Sequence, residues 1–345
     1  MKILLLFDLS ISLKPEEYVD YWKSDDFESE RHTKETLENL GHTVTPFGLH
    51  DDLDPLLKEV KDNPPDLIFN LSEAFRNHRR YEPHLVSLLE LLEIPYTGSR
   101  PEALHLCKNK GMAKKILSFH RVKVPDFLIS RRSSPIRSLK GLKFPVFIKP
   151  LDLEASEGIS QLSFSENAKD ALERVRYLHE RYETSVIVEE YIDGRELYVA
   201  VLGNEKLQAF PPRELHFKHV PEGEPRFATF RAKWDDTYRK KWGIKTGAGS
   251  LSEEIELKLM ELSKRIYRLL GLSGYGRVDF RMTPEGEFVC LEVNPNPSIE
   301  RDSDVALAAA KAGLSYDDLI QKILNLAIGA IDPQLDRSPS RKKKK

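Results

Sequence analysis

Residues 277–297 read RVDFRMTPEGEFVCLEVNPNP. Two apolar runs rich in β-branched and aromatic residues flank Pro284-Glu285-Gly286, so the stretch predicts a hairpin with strands at 276–282 and 287–293. Glu292 and Asn294 are two positions apart, which puts both on one face of the second strand and Val293 on the other. Pairing brings Asp279 beside them, so two carboxylates and an amide oxygen converge. Hard oxygen donors of this kind suit Mg²⁺, which shares its remaining positions with water and phosphate. Val278, Phe280, Leu291 and Val293 are apolar, so these polar groups sit on otherwise buried strands and need a partner. The plain alternative is a solvated hairpin with an acidic outer face. The rigid turn Asn294-Pro295-Asn296-Pro297 fixes the ligand end of the strand and argues against it.

Working back from the hairpin, a helix is expected over 252–270, preceded by a long charged, irregular stretch, 211–248. Strands are expected at Val186–Glu190 and Glu196–Leu202, joined by a turn at Asp193-Gly194. An extended segment that exposes backbone polar groups can read an adenine edge, and a carboxylate a few residues later can bind ribose hydroxyls. An ordinary hairpin with surface acids has the same spacing. A helix is expected over Asn167–Tyr182, strands at Phe144–Lys149 and Ser160–Phe164, and a helix over 108–119. Lys149 ends an apolar strand, where a lysine is costly unless it meets an anion such as a nucleotide phosphate or snorkels to solvent.

Toward the N-terminus, KILLLFD (residues 2–8) is a continuous apolar run, as a parallel strand covered on both faces requires. Helical spacing over 25–40 ends at Gly41, and strands at 42–47 and 66–70 alternate with helices at 53–60 and 82–93. This alternation predicts a doubly wound α/β unit. A last amphipathic helix is expected from about 315 to 328. The 345 residues, 40% hydrophobic and 31% charged, suit two or three globular domains. A net charge of −2 gives no field that draws the body to nucleic acid or an acidic membrane, and only Arg341 to Lys345 form a basic, disordered tail. Two distant cysteines argue against a disulfide framework and fit a reducing, cytoplasmic setting; Cys290 reads as a buried strand residue. Ile3 to Phe7 is too short for a signal peptide, and no apolar run approaches the roughly 20 residues that span a bilayer.

In combination, Leu89–Ser99 (LELLEIPYTGS), Lys110–Lys114, Pro145–Pro150 (PVFIKP), Val188–Leu197 (VEEYIDGREL), Gly274–Phe280 (GYGRVDF), Leu291–Pro297 (LEVNPNP) and Ala308–Leu319 resemble the ATP-grasp superfamily, in its D-alanine–D-alanine ligase branch. The resemblance implies an α/β ATP-grasp fold with α+β lobes. An N-terminal Rossmann-like pre-ATP-grasp domain would occupy 1–99. A central lobe over 100–188 and a C-terminal lobe over 189–331 would sandwich ATP, with a tail at 332–345. It implies that Lys110 and Lys149 hold ATP phosphates, with Lys233 adding a further lysine from a loop. Glu189 and the backbone of Tyr191 and Ile192 would meet adenine, and Glu196 the ribose. Asp279, Glu292 and Asn294 would ligate two Mg²⁺ ions, or Mn²⁺. Arg277 would stabilise the acyl-phosphate transition state, Ser156 would remain in the phosphate loop, and Ser303 would receive a substrate carboxylate.

Where the chain departs from that branch, the departures concern substrate. The loop after Lys149 reads Leu151-Asp152-Leu153-Glu154-Ala155-Ser156-Glu157-Gly158, with Ala155 where a serine contacts substrate. Trp234 stands for a tyrosine, and Asn70–Arg76 replaces a His-Gly-rich loop. The expected function is therefore an ATP-dependent carboxylate–amine ligase working through an acyl phosphate, on an amino acid or peptide other than D-alanine. The alternatives are a D-alanine–D-alanine ligase with a remodelled pocket and a non-catalytic nucleotide-binding regulator. Small-molecule acid and amine substrates are the expected partners, without nucleic acid or membrane, and a homodimer is usual in the resembled branch. Arg76, Arg79, Arg80 and Arg301 are candidates to hold a carboxylate, and segments 151–158 and 211–248 are candidate lids.

Overall fold

The computed structural model describes residues 1–13, 17, 22, 24, 27–153, 156–220, 227 and 235–329. The run KILLLFD forms β1 (Lys2–Asp8), with Ile3 to Phe7 all buried. Helix α1 (Glu28–Asn39) leads to β2 (Thr43–Leu49), and α2 (Asp54–Asp62) leads to β3 (Leu67–Asn70), after which comes α3 (Glu82–Leu91). β1 lies between β2 and β3 and is parallel to both. Ile3 and Leu5 pack on one face against Leu37 and against Ile320 and Ile323 near the C-terminal end of the chain; Leu4 and Leu6 pack on the other against Leu56, Leu85 and Leu89. Burial on both faces is why the run shows no polar alternation. Each such side chain contributes roughly 1.5–3 kcal/mol. The carboxyl ends of β1 and β3 bring Asp8 and Asn70 to one edge, the side at which open α/β sheets bind ligands.

The next section begins with two helices, α4 (Pro101–Lys108) and α5 (Lys110–Phe119), where one was expected over 108–119. Asn109 leaves the helical region (φ −86°, ψ 86°), and its side chain accepts the Met112 N–H at 3.0 Å, capping a fresh helix. Strands β4 (Phe127–Ser130), β5 (Val146–Pro150), β6 (Phe164–Ser165) and β7 (Val186–Glu190), with helix α6 (Ala168–Tyr182) between β6 and β7, form an antiparallel sheet in the order β4-β7-β5-β6. Val146 and Ile148 enter the core with Ala171, Val175 and Leu178, so Phe147 and Lys149 face the other way, into a cleft. The strand expected at 160–164 is mostly a 3₁₀ turn, Gln161–Ser163, because Ser160 and Ser163 cap each other's backbone.

The third sheet contains β8 (Arg195–Leu202), β9 (Gln208–Ala209), β10 (Arg213–Phe217), β11 (Ile244–Ala248), β12 (Tyr275–Met282) and β13 (Phe288–Pro295). Its order is β11-β10-β8-β12-β13, with β9 on β8. Helix α7 (Asp236–Trp242) precedes β11, so the stretch 211–248 is not irregular throughout as expected. Helix α8 (Glu253–Leu269) lays Leu259, Ile266 and Tyr267 on Leu197, Val199, Val278 and Phe280, covering one face of the sheet. Helices α9 (Asp304–Lys311) and α10 (Tyr316–Gly329) follow, and α10 returns to cover the first sheet. Among the described residues no helix is long and apolar enough to cross a membrane.

The hairpin that opened the sequence reading contains one irregularity. Asp279 pairs with Glu292, but Phe280 pairs with Cys290, leaving Leu291 as an extra residue on β13. On a regular strand Cys290 and Glu292 would share a face. The bulge sends Cys290 into the core under α8 and turns Glu292 to the opposite face beside Asp279. Val293 enters the core, as the alternation predicts.

Candidate active site

The face of the third sheet away from α8 carries a ladder of charges. Arg277, Asp279 and Arg281 alternate along β12. On the neighbouring β8, Tyr198 lies opposite Asp279 and Glu196 opposite Arg281, while on β13 Asn294 lies opposite Arg277. Arg277 donates to both oxygens of Asp279, Nε to Oδ1 at 2.7 Å and Nη2 to Oδ2 at 2.9 Å. Asn294 Nδ2 donates to Asp279 Oδ2 at 3.0 Å, so Oδ1 is the atom of that side chain suited to a cation. Arg281 Nη2 donates to Glu196 Oε2 at 2.8 Å, and the Tyr198 hydroxyl donates to Glu196 Oε1 at 2.7 Å. The Tyr198 ring lies 5.0 Å from the Arg277 guanidinium, a cation–π distance. Burial, then the charges of Glu196 and Asp279, push the Tyr198 hydroxyl well above its usual range, so it stays a donor.

The second sheet contributes the facing wall. Glu189 is 2% exposed and stands between two lysines. Lys149 Nζ lies 3.2 Å from Oε2, and Lys114 Nζ lies 3.3 Å from Oε1. The second contact is an ion pair whose angle gives no hydrogen bond, so Glu189 Oε1 is buried without a donor. Lys110, one turn before Lys114 on α5, lies 3.3 Å from Glu292 Oε1 and donates to the Leu153 carbonyl. Burial works against the Lys149 charge, yet Glu189, Glu292 and Glu196 outweigh it and raise its pKa. Burial likewise opposes the Arg277 charge, and Asp279 more than restores it. Burial lowers the Lys114 pKa despite Glu189. The Cys290 thiol is pushed up to about 12, chiefly by burial, so it behaves as an inert core group.

One cleft between these walls is lined by Lys149, Ser156, Glu189, Tyr191, Ile192, Glu196, Asp279 and Glu292, together with Tyr198, Phe147, Phe227 and Arg281. These positions run from Phe147 to Glu292 in the sequence, and the fold brings nearly all of the sequence-derived nucleotide and metal residues together. Lys110 joins them through Glu292, and Arg277 and Asn294 through Asp279. Tyr191 differs from expectation in one respect: its backbone N–H already donates to the Pro145 carbonyl at 2.9 Å. Lys233 lies outside the described residues, as do residues 154–155 of the loop after Lys149 and the tail at 332–345. Ser303 is the N-cap of α9, where its hydroxyl accepts the Ala306 N–H at 3.3 Å, and it lines neither this cleft nor the one described next.

A second cavity, about 360 Å³, opens at the carboxyl ends of β1 and β3. Tyr275 and the turn Asn296–Ser298 form its wall, continuing directly from Asn294. Asp8, Glu30, Glu73 and Glu300 make it acidic. None of the four arginines proposed to hold a carboxylate lines it, though Arg79 reaches its edge through Glu73. Arg79 pairs with Glu73, Arg80 stacks on Tyr81, Arg76 reaches the Asp51 carbonyl and Arg301 stacks on Tyr316. Burial first, then Asp8, Glu300 and Glu73, push the Glu30 carboxyl up to about 7. A larger cavity of about 590 Å³ against Lys115, Arg131 and Arg132 gathers none of the sequence-derived residues.

The sequence reading misses Lys114, which stands behind Glu189, and Tyr198 and Arg281, which line the cleft. For Lys114, its four-residue spacing from Lys110 is the available signal. Tyr198 and Arg281 carried a period-two signal, since they alternate with Glu196 and Asp279 on paired strands.

Residues 106–325 match the family model described as D-ala D-ala ligase C-terminus. The chain is 32% identical over 271 residues to the uncharacterized protein y4sG of Sinorhizobium fredii, covering 76% of this chain and 77% of that protein. It is 33% identical over 251 residues to the D-alanine–D-alanine ligase of Geobacter sulfurreducens, covering 72% and 74%. The fold superposes on the D-alanine–D-alanine ligase of Bacillus anthracis in complex with ATP with a TM-score of 0.74, at 20% identity, covering 97% of this chain and 99% of that one. Fold and site together define an ATP-grasp enzyme, an ATP-dependent ligase. Within that class the chain belongs to the D-alanine–D-alanine ligase family.

Proposed function

We propose that this ligase joins a carboxylate to an amine through an acyl phosphate, and that its substrate is an amino acid or peptide other than D-alanine bearing a cationic group. The observation that carries the nucleotide half is Glu189 Oε1, a buried acceptor without a donor at the base of a cleft that also presents Lys149. A buried unsatisfied acceptor costs about 1–3 kcal/mol, and the exocyclic amino group of adenine would satisfy it. Glu196, held by Arg281 and Tyr198, would accept ribose hydroxyls, while Lys149 and Lys110 would meet phosphate oxygens.

The donor set fits Mg²⁺. Asp279 and Glu292 are directly opposite across the β12–β13 ladder, and Asn294 adds an amide oxygen. Among the described residues no three His, Cys, Asp or Glu side chains cluster as a metal cage, so such an ion would complete its shell with water and phosphate. When bound it would offset phosphate charge. The chain's own cations do the rest. Carboxylate and terminal phosphate repel; Lys149 and Lys110 screen that repulsion and align the two anions. Arg277, held by Asp279 and kept charged, faces the negative charge that develops when the amine attacks the acyl carbonyl, a contribution of about 3–4 kcal/mol. The cleft walls exclude water that would hydrolyse the intermediate.

For the second half, the acidic cavity supplies Asp8, Glu30 and Glu300 besides Glu73, which Arg79 already pairs, where a single α-ammonium needs one or two. That surplus favours a substrate with an additional positive charge, such as a basic amino acid or a diamine. Two buried cysteines that form no disulfide are consistent with work in the cytosol. The test is phosphate release across a library of acids and amines, with mass spectrometry of the products. Turnover that needs a cationic acid or amine together with its partner supports the reading. Efficient D-alanyl-D-alanine formation from D-alanine, with no response to cationic substrates, replaces it with D-alanine ligation in a remodelled pocket.

A further inference from the structure

We infer that Lys114 is a positioning residue that couples recognition of the nucleotide base to the strand carrying the metal ligand Glu292, an inference that rests on the nucleotide reading above. Lys114 is 2% exposed and reaches two elements that have no direct strand pairing. Its Nζ donates to the carbonyl of Leu291 at 2.6 Å and lies 3.3 Å from Glu189 Oε1. Leu291 is the bulge residue that turns Glu292 into the site, and its carbonyl is tied down by this lysine. Glu189 Oε1 is the buried oxygen that accepts no hydrogen bond, and the Lys114 ammonium holds it electrostatically. One ammonium thus fixes the acceptor on β7 and the bulge on β13.

Burial is what gives the coupling its strength. A lysine this deep would be costly in isolation, and burial pulls its pKa down, while the Glu189 charge and the hydrogen bond to the Leu291 carbonyl work in favour of its charge. Lys149 serves Glu189 from the other side and touches no atom of β13 by hydrogen bond, and Lys110 serves Glu292 without reaching Glu189. Lys114 instead pairs with Glu189 and hydrogen-bonds the β13 backbone itself, at the residue before Glu292. Groups that orient a ligand from behind typically change metal affinity 10–100-fold when removed.

The test compares wild type with Lys114→Met by calorimetric titration of ATP and of inosine triphosphate, each with Mg²⁺, and by Mg²⁺ titration at fixed ATP. Inosine carries an oxygen where adenine carries the amino group, so an ordered Glu189 disfavours it. The expected result is that the ATP-over-inosine preference narrows about tenfold and the Mg²⁺ midpoint rises at least about tenfold, both in the one variant. Lys114→Gln, a milder change, carries the same test where the methionine variant does not fold, and Lys115→Met, at an exposed neighbour, is expected to match wild type. In a Glu189→Gln background the Lys114 substitution should leave base preference unchanged but still shift the Mg²⁺ midpoint. A folded Lys114 variant that keeps the wild-type value of either quantity overturns the inference. Wild-type protein without affinity for ATP instead overturns the nucleotide reading, and the inference with it.

Discussion

Arg277 grips Asp279 through two hydrogen bonds, 2.7 and 2.9 Å long, from the adjacent position on the same face of β12. The carboxylate proposed as a metal ligand is therefore already charge-balanced by the arginine proposed to face the acyl centre. Removing the arginine alone leaves a buried anion without its counter-charge. Arg277→Met should destabilise the protein by about 3–5 kcal/mol, read as a lower urea midpoint. Asp279→Asn, which removes the anion but keeps a polar partner, should cost less. Equal losses for the two would show that the pair contributes little to the fold. Turnover in any Arg277 variant that folds should fall about 10²–10³-fold.

Glu292 is a different case, because it lies at the rim of the cleft with its side chain 25% exposed and Lys110 as its ion-pair partner. Glu292→Gln preserves volume and removes one charge. Stability to thermal unfolding should fall by an amount on the order of 1–3 kcal/mol, because Lys110 is buried and keeps only neutral acceptors such as the Leu153 carbonyl and the new amide oxygen. ATP-dependent phosphate release should fall by more than about 100-fold, and raising Mg²⁺ should restore only part of it. Normal turnover in this variant would remove the metal assignment.

Much of this site was legible because each signal was local. KILLLFD predicted a doubly covered strand from composition alone, and the LEVNPNP stretch placed Glu292 and Asn294 on one face by simple alternation. What was not legible depended on tertiary context. The Leu291 bulge moves Cys290 and Glu292 to opposite faces, and no spacing rule announces a bulge. Asn109 breaks one apparent helix into two because its side chain caps the second, a choice that its helical neighbours disguise. The serines at 160 and 163 prefer each other's backbone to a strand ladder. The arginines near residue 76 looked suited to hold a carboxylate, but the fold turns them to partners of their own and leaves an acidic cavity in their place.

That acidity sets a pH dependence through Glu30. Its carboxyl titrates at about 7 in the folded protein against an ordinary value of 4.5. Between those two values the native state keeps a proton that the unfolded chain has lost, so stability falls as pH rises through the window and is level above it. The single-group effect is on the order of 3 kcal/mol. Asp8 and Glu300, also raised chiefly by burial, act in the same direction. Glu30→Gln should flatten the decline between pH 4.5 and 7 in chemical denaturation. A variant whose stability falls as steeply as wild type would assign the dependence to another group. A cationic ligand should show the reverse trend in affinity, binding more tightly as Glu30 loses its proton.

The turn that ends the metal-ligand strand is anchored at Gly98. Asn296, itself left-handed (φ 52°), accepts the Ser99 backbone N–H at 2.7 Å, and this bond pins the turn to the segment after α3. Gly98 beneath it has φ +100°, and a Cβ there would stand 2.6 Å from Asn296 Oδ1. Alanine at this position therefore meets two penalties, a backbone conformation that L residues rarely adopt and a collision with the accepting oxygen itself. Gly98→Ala should destabilise the protein by roughly 1–3 kcal/mol. Because the collision displaces the same amide that Asn296→Ala deletes, the two substitutions share part of their effect. The double variant should be more stable than the sum of the single losses predicts, by about 0.5 kcal/mol or more. Strict additivity in urea unfolding would mean that the strain of Gly98 lies wholly in its backbone and that the turn carrying Asn294 is held by other contacts. Since Asn294 is two residues upstream, loosening the anchor should also raise the Mg²⁺ midpoint for ATP binding, which separates a displaced turn from a generally weakened fold.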